Sequence, residues 1–477
     1  MKLAALAVLS ESEIRAIHDA TLDILGGCGV KVHSPRMLAA LKAKGLPVEA
    51  AAGIVRFPRA ALEDALARMP PRIEVFDREG KPAFVLGDGV PKIPAGHNAV
   101  FWVDSATGAT RPSCVEDVAR FARLCEQLPV IDMIGIPVMP QDVKAARATL
   151  LHAVAATARN SGKPVYFSTD NAQVNRGCIE LLRAVFAGDF EKQVYGISQL
   201  SPTSPLFWEG NVCDAILDTL QTCVPLAILP EPNAGVSSPY TLAGLLTMNN
   251  AECLSGLAMI QLLKPGHPVL YANSWTTTDM RTGAALVGSI ETSVCRIAAA
   301  QLARFYRAPS HTTAPNSDNH AHDEQNAWEK TFSLMASVGA GHDLIVNCGM
   351  FATGLTCSDE QLLMDAEIAG MCRRLAAGLE VTKDTIAADL IRTVGPQGES
   401  YLMQDHTLER LRSPEYFVPD LAVRGPLAVW QAAGSRDTCA LARERAAQLA
   451  ANPPSRLEAR REDALRAALG QAEDALM

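Results

Sequence analysis

Between residues 131 and 351 the chain alternates short, continuously apolar runs with longer amphipathic stretches. The runs are IDMIGIPVM (131–139), PVYFS (164–168), VYGISQL (194–200), VPLAILP (224–230), PVLYANSW (268–275), a weaker one over Ala308–Thr313, and DLIVNCGMF (343–351). Helical periodicity fills the intervals, as over Val143–Asn160 and Thr241–Leu263. A strand that is apolar at every position is buried on both faces, which is the signature of a parallel sheet covered by helices. Seven such strands at βα-unit spacing predict an α/β protein with a (β/α)8 TIM-type barrel rather than an open sheet. No comparable run marks the eighth strand. No GxGxxG follows the first strand, so nothing supports a dinucleotide site.

The flanks read differently. Ser10 with Glu13 forms a capping-box pattern, Ile14, Ile17, Leu22 and Leu25 make a helical stripe, and Gly26–Gly27 end it. Further helices are predicted over Pro35–Lys44 and Phe57–Met69, and hairpins over Arg72–Val90 and Asn98–Arg111. Residues 1–112 are thus expected to form an N-terminal α+β extension packed on the barrel. The barrel is expected over 113–440 and a helical tail over 441–477. Ser358–Gly378 reads as a strong helix and GPQGESYLMQDHT as a loop.

Composition narrows the function. A hydrophobic content of 48% in 477 residues supports a large core. The net charge is −9, with the two signs interspersed and no Lys/Arg block, which argues against nucleic acid. No apolar run is long enough to span a bilayer, and MKLAALAVLS is too short for a secretory signal. Twelve cysteines without a CxxC pair, several in apolar surroundings (Cys125, Cys223, Cys253), read as free thiols in a reducing compartment. A cytoplasmic protein is expected.

Barrel chemistry sits at the C-terminal ends of the strands. The predicted strands and the loops after them deliver Tyr166, Gln199, Trp208, Glu231, Tyr240, Asn273, Trp275, Arg281, His311, Asn347 and Phe351. There is no GxSxG elbow and no P-loop. His320 and His322, with Cys348, could supply zinc ligands. They precede a helix in a polar loop, however, where surface histidines and an N-cap near Asp323 are the better reading, so no metal is expected. Only 5% of residues are aromatic. Trp208, Tyr240, Trp275 and Phe351, with Tyr166 and Phe167 behind them, suit a methylated cation, which only π-faces and a carboxylate such as Glu231 can hold. Each is equally a core residue when taken singly. Arg281 suits a substrate carboxylate or a salt bridge with Asp279 or Glu291.

The segments IRAIHDATLDILGGCGVKV, SATGATRPSCVEDVARFARLCEQLPVIDMIG, SQLSPTSPLFW, AGVSSPYTLAGLLTMNNAECLSGL, TTTDMRTGAALVGSIETSVC, QLARFYRAP and SDEQLLMDAEIAG follow in an order and spacing that resemble the trimethylamine/glycine betaine corrinoid methyltransferase family. The resemblance implies a barrel that moves a methyl group from an amine to cob(I)alamin, a corrinoid cofactor supplied by a partner protein. Founding members carry pyrrolysine and use methylamines. This chain lacks pyrrolysine, and its corresponding strand is NCGMFATGLT. Members without it are associated with quaternary amines such as glycine betaine. Demethylating a quaternary ammonium releases a neutral amine and needs no acid, only a strong nucleophile, alignment and exclusion of water. No catalytic residue is assigned. The expected substrate-binding set is Trp208, Glu231, Tyr240, Trp275, Arg281, His311, Asn347 and Phe351. Alternatives are another onium substrate (carnitine, proline betaine, a sulfonium) or a barrel that binds quaternary amines without catalysis. A mouth that is filled, polar or metal-bound would count against the leading reading. A homo-oligomer is the default assembly.

Overall fold

The computed structural model describes residues 3, 5–411, 413–454 and 457–476. Eight parallel strands form the barrel: β1 Pro94–Ala95, β2 Met133–Ile134, β3 Val165–Ser168, β4 Gly196–Leu200, β5 Leu226–Ile228, β6 Val269–Asn273, β7 Ser310–Thr313 and β8 Leu344–Val346. They pair in chain order, and parallel bridges Lys92–Leu344 and Ala95–Cys348 close the ring between β8 and β1. The seven apolar runs are β2 to β8. The strand without a sequence signal is β1, which lies inside the span expected for the extension, so the barrel begins before residue 113. It was invisible because its ladder is two residues long, one of them proline, and its neighbours rather than its own pattern hold it.

Three N-terminal helices precede the barrel: α1 Glu11–Gly27, α2 Pro35–Ala43 and α3 Arg59–Leu66. The Ser10/Glu13 capping box opens α1. Each barrel strand is then followed by an outer helix: α4 Val115–Glu126, α5 Thr149–Asn160, α6 Ala172–Val185, α7 Gly210–Thr219, α8 Leu242–Leu263, α9 Ile290–Phe305, α10 Glu324–Ala340 and α11 Asp359–Ala377. α8 is apolar almost all round because it is covered on both sides, by the barrel and by α1 and α3. The helices at 438–451 and 459–474 form a partial outer layer on α11 and α4 and on α5 and α6.

The barrel has a closed end and an open end. The hairpin Ile73–Phe76 with Pro82–Leu86 seals the N-terminal end. Phe76 N–H bonds Val194 C=O just before β4, and Gly87 N–H bonds the Asp343 side chain just before β8. Its Ile73, Val75 and Leu86 join the interior residues Met133, Tyr166, Ile197, Ala227, Leu270, Ala272, Leu344 and Val346 in one cluster. The functional end is therefore the C-terminal one. All twelve cysteines are free thiols. No helix among the described residues is long and apolar enough to cross a membrane.

Candidate functional site

β1 leads through Gly96 to His97. Gly96 has φ 84°, and a Cβ there would stand 2.7 Å from the Pro137 Cα, so only glycine allows this approach of β1 to β2. His97 Nε2 is 2.8 Å from Gln199 Oε1 at the end of β4, and its Nδ1 is 3.1 Å from Asn347 Oδ1 beyond β8. Tyr166 on β3 donates to the same Gln199 oxygen. His311 on β7 is fully buried and stacks on Tyr166 at 5.3 Å, and neither ring nitrogen has a hydrogen-bond partner. Burial pushes the pKa of His97 below the usual imidazole value, and that of His311 well below it. In both, burial disfavours the charged form.

The loops after β7 and β8 are fixed by a buried ion pair. Lys330 Nζ on α10 is 2.8 Å from Asp365 Oδ2 on α11, both side chains wholly buried. The ammonium also donates to the Pro315 and Met350 carbonyls. The carboxylate accepts from Gly349 N–H at 2.7 Å and from Gln361 Nε2 at 2.9 Å. Asn347 sits between these loops at φ 136° and donates from Nδ2 to Asn316 Oδ1 at 2.7 Å. The pair thus sets where Asn347 meets His97.

Glu231, three residues past the end of β5, has no hydrogen-bond or ion-pair partner among the described residues. Its side chain reaches solvent but stands deep among surrounding protein, and that burial pushes its carboxyl up to about 7. Its charge adds to the burial that raises the Tyr166 hydroxyl. A cavity of about 490 Å³ opens over the ends of β2, β3 and β4, lined by Asn98, Met139, Arg147, Leu150, Ser168, Thr169, Asp170, Val174 and Ser201 among others.

The expected binding residues separate into two groups. Glu231, His311 and Asn347 converge on the open end with His97, Tyr166 and Gln199. The aromatic cage does not assemble. Trp208 is fully buried in a strand paired to Val30–Val32, its Nε1 donating to Ser255 on α8. Trp275 is 1% exposed in the same core. Phe351 is buried against His322, ring centroids 4.8 Å apart. Tyr240 stands on the rim, more than half exposed, its ring against Gly235. Arg281 is held in a bidentate pair with Asp279, with 87% of its side chain exposed. The salt-bridge reading of Arg281 is thus the one realised, and the polar mouth counts against the aromatic-cage form of the leading reading.

None of the cavity's lining residues was in the expected set, and neither was His97. His97 follows the strand that had no apolar run, and Arg147 lies on a single turn at 146–148 within a loop. A signal for His97 existed in Pro94-Ala95-Gly96-His97, a small-residue approach ending in a titratable group. Of the candidate zinc residues, His320 is exposed, and His322 stands 3.2 Å from Ser358 Oγ and 3.6 Å from the Cys439 thiol. Asp323 caps α10 through Asn326 N–H. Among the described residues no group of three His, Cys, Asp or Glu could hold a metal ion.

Known proteins match this chain along its length. A family described as trimethylamine methyltransferase (MTTB) matches residues 1–476. The trimethylamine methyltransferase MttB of Desulfitobacterium hafniense is 30% identical over 94% of this chain and 90% of its own length. That of Methanosarcina thermophila is 31% identical over 94% and 93%. A glycine betaine methyltransferase of Desulfitobacterium hafniense is 28% identical over 89% and 88%. Among solved structures, the monomethylamine methyltransferase MtmB of Methanosarcina barkeri superposes with a TM-score of 0.52 at 13% identity, over 98% of this chain and 88% of that one. The likeness shares the barrel fold.

Proposed function

The chain belongs to the trimethylamine methyltransferase family and is a methyltransferase, and on that premise we propose that it moves a methyl group from a quaternary amine, glycine betaine or a near relative, to a corrinoid carried by a separate protein. The observation that carries the substrate half is Glu231, an unpartnered carboxyl in a polar pit at the open end of the barrel. An isolated carboxylate there needs a cation, and a methylated ammonium supplies one.

The corrinoid, in its cobalt(I) state, would supply the nucleophile. The site fits such an acceptor in size and surface. The cavity over β2, β3 and β4, about 490 Å³, admits a small molecule, and a macrocycle would stay outside it. Exposed apolar side chains, Val236, Tyr240 and Met280, stand on the loops after β5 and β6. This chain's residues then bind and orient. Glu231 ionises and attracts the ammonium. The neutral wall of His97, Tyr166, Gln199 and Asn347 shapes the pit without adding a second charge. As the methyl group leaves, the positive charge on nitrogen disappears. One carboxylate of pKa about 7 holds the cation less tightly than a multiply charged cage would, and so costs less in the transition state. The released amine is neutral, so no proton need be delivered.

A second reading follows from the cage that does not form. With Trp208, Trp275 and Phe351 turned away, Glu231 is also placed to accept a hydrogen bond from the N–H of a protonated tertiary amine. We infer further that the protein acts in the cytoplasm as a homo-oligomer. The test is anaerobic: protein, cob(I)alamin and, separately, glycine betaine, carnitine, proline betaine, choline and trimethylamine. Loss of the cob(I)alamin absorbance with one of the quaternary compounds is the expected result. Loss with trimethylamine alone selects the second reading. No loss with any compound, with the cognate corrinoid protein also present, overturns both.

A further inference from the structure

We propose that the cavity over β2, β3 and β4 is a subsite for the carboxylate of a zwitterionic substrate, with Arg147 as the group that receives it. The proposal rests on the methyl-transfer reading above and names its substrate class: a betaine rather than a simple methylamine or an amino alcohol.

The argument begins with an unused charge. Arg147 lines the cavity and has neither an ion pair nor a hydrogen bond among the described residues. Arg281, an arginine on the loop after β6 with a claim on a carboxylate, has the Nε–Nη2 edge of its guanidinium committed to Asp279. A guanidinium in a concave site, free of any protein carboxylate, matches the two oxygens of a bound one.

The walls agree. Ser168, Thr169 and Ser201 bring hydroxyl groups to the same space. Asn98 lines the same cavity on a left-handed backbone, φ 59°, its Nδ2 donating to the Ser168 carbonyl. A non-glycine residue kept in that region marks a position the surrounding structure has to hold. Asp170 stands on the same cavity. A plain anion would gain from Arg147 and lose to Asp170, whereas a zwitterion presents both charges and gains from both. The cavity also communicates with the axial network. Gln199 Nε2 donates to Ser201 Oγ, while its carbonyl oxygen faces His97 and Tyr166. Ser201 is thus the residue through which the cavity wall meets that network.

The test needs no corrinoid. Binding of glycine betaine, carnitine and proline betaine is measured by calorimetry, with choline and tetramethylammonium as ligands that carry the cation alone. In R147Q the betaines should lose roughly 10- to 100-fold in affinity, the size of a charge-assisted contact, while choline and tetramethylammonium are unchanged. R147K should fall between, because it keeps the charge and loses the fork. Arg147 is exposed, so thermal melting of both variants should match the parent. Equal betaine affinity in R147Q, an equal loss for choline, or no betaine binding by the parent overturns the subsite. If betaines bind through Arg147 but cobalt is never methylated, the methyl-transfer reading fails and the subsite stands.

Discussion

Replacing Lys330 by methionine should destabilise the protein by about 3–5 kcal/mol, the cost of leaving one member of a buried ion pair without its partner. Lys330 and Asp365 are both wholly inaccessible and 2.8 Å apart. Methionine keeps most of the volume but removes every donor. The Pro315 and Met350 carbonyls lose a charged partner, and Asp365 keeps only Gly349 N–H and Gln361 Nε2. A loss of 3 kcal/mol lowers the folding equilibrium constant roughly 150-fold. Urea unfolding followed by tryptophan fluorescence measures it as a shift in midpoint at constant slope. The pH dependence gives the sharper check. Without Lys330, burial raises the Asp365 pKa in the folded state above its unfolded value of about 3.9. The folded variant then holds a proton that the unfolded chain releases. Its stability is fullest below about pH 4 and falls by about 1.4 kcal/mol per unit as pH rises toward the folded pKa. The deficit should therefore be larger at pH 8 than at pH 5. K330M/D365L, with the charge removed as well, should recover most of it. A deficit below about 1 kcal/mol, or one that grows on acidification, would refute the account of a buried charge left unpaired.

Three further expectations follow. Glu231→Gln should weaken binding of a methylated cation roughly tenfold or more; because the carboxyl titrates near 7, parental affinity should rise as pH increases through that value, and the variant should lose this dependence, read by calorimetry from pH 5.5 to 8.5. Trp208→Phe should cost about 1–3 kcal/mol through the lost Ser255 bond and packing against α8, with amine affinity unchanged; an affinity loss without a stability loss would restore the cage. Arg281→Gln should leave both betaine affinity and stability within about 0.5 kcal/mol of the parent, since the Asp279 pair is solvent-exposed, and a selective loss of betaine binding would return the carboxylate role to Arg281.

How far the site was legible depended on the phase of each strand. Glu231 and Asn347 were expected at the open end because each lies just past a strand end, and His311 because it lies within β7; such strands are legible in continuous apolar runs. Trp275 lies as close to the end of β6, yet it turns outward into the core with α8. Alternate residues of a strand point to opposite faces, and when both faces are apolar the run does not reveal which residues face the axis. Trp208 was misplaced for another reason: its strand is recruited by Val30–Val32, nearly 180 residues earlier in the chain. Phe351 is buried against His322 on the loop that Lys330 and Asp365 hold.

By itself the sequence determined the barrel class and seven of its strands, because burial on both faces forces a composition that turns and helices do not share. It also determined the capped start of α1, through the local reach of Ser10 and Glu13. Only the tertiary structure decided where the barrel begins, because β1 is two residues long and is held by β2 and β8 rather than by its own pattern. That strand brings His97 to Gln199 and Asn347 across 102 and 250 residues of chain, and it leaves Arg147 and Asp170 facing one cavity. Convergence of this kind comes from ring closure, a property of all eight strands together, and no local window of residues encodes it.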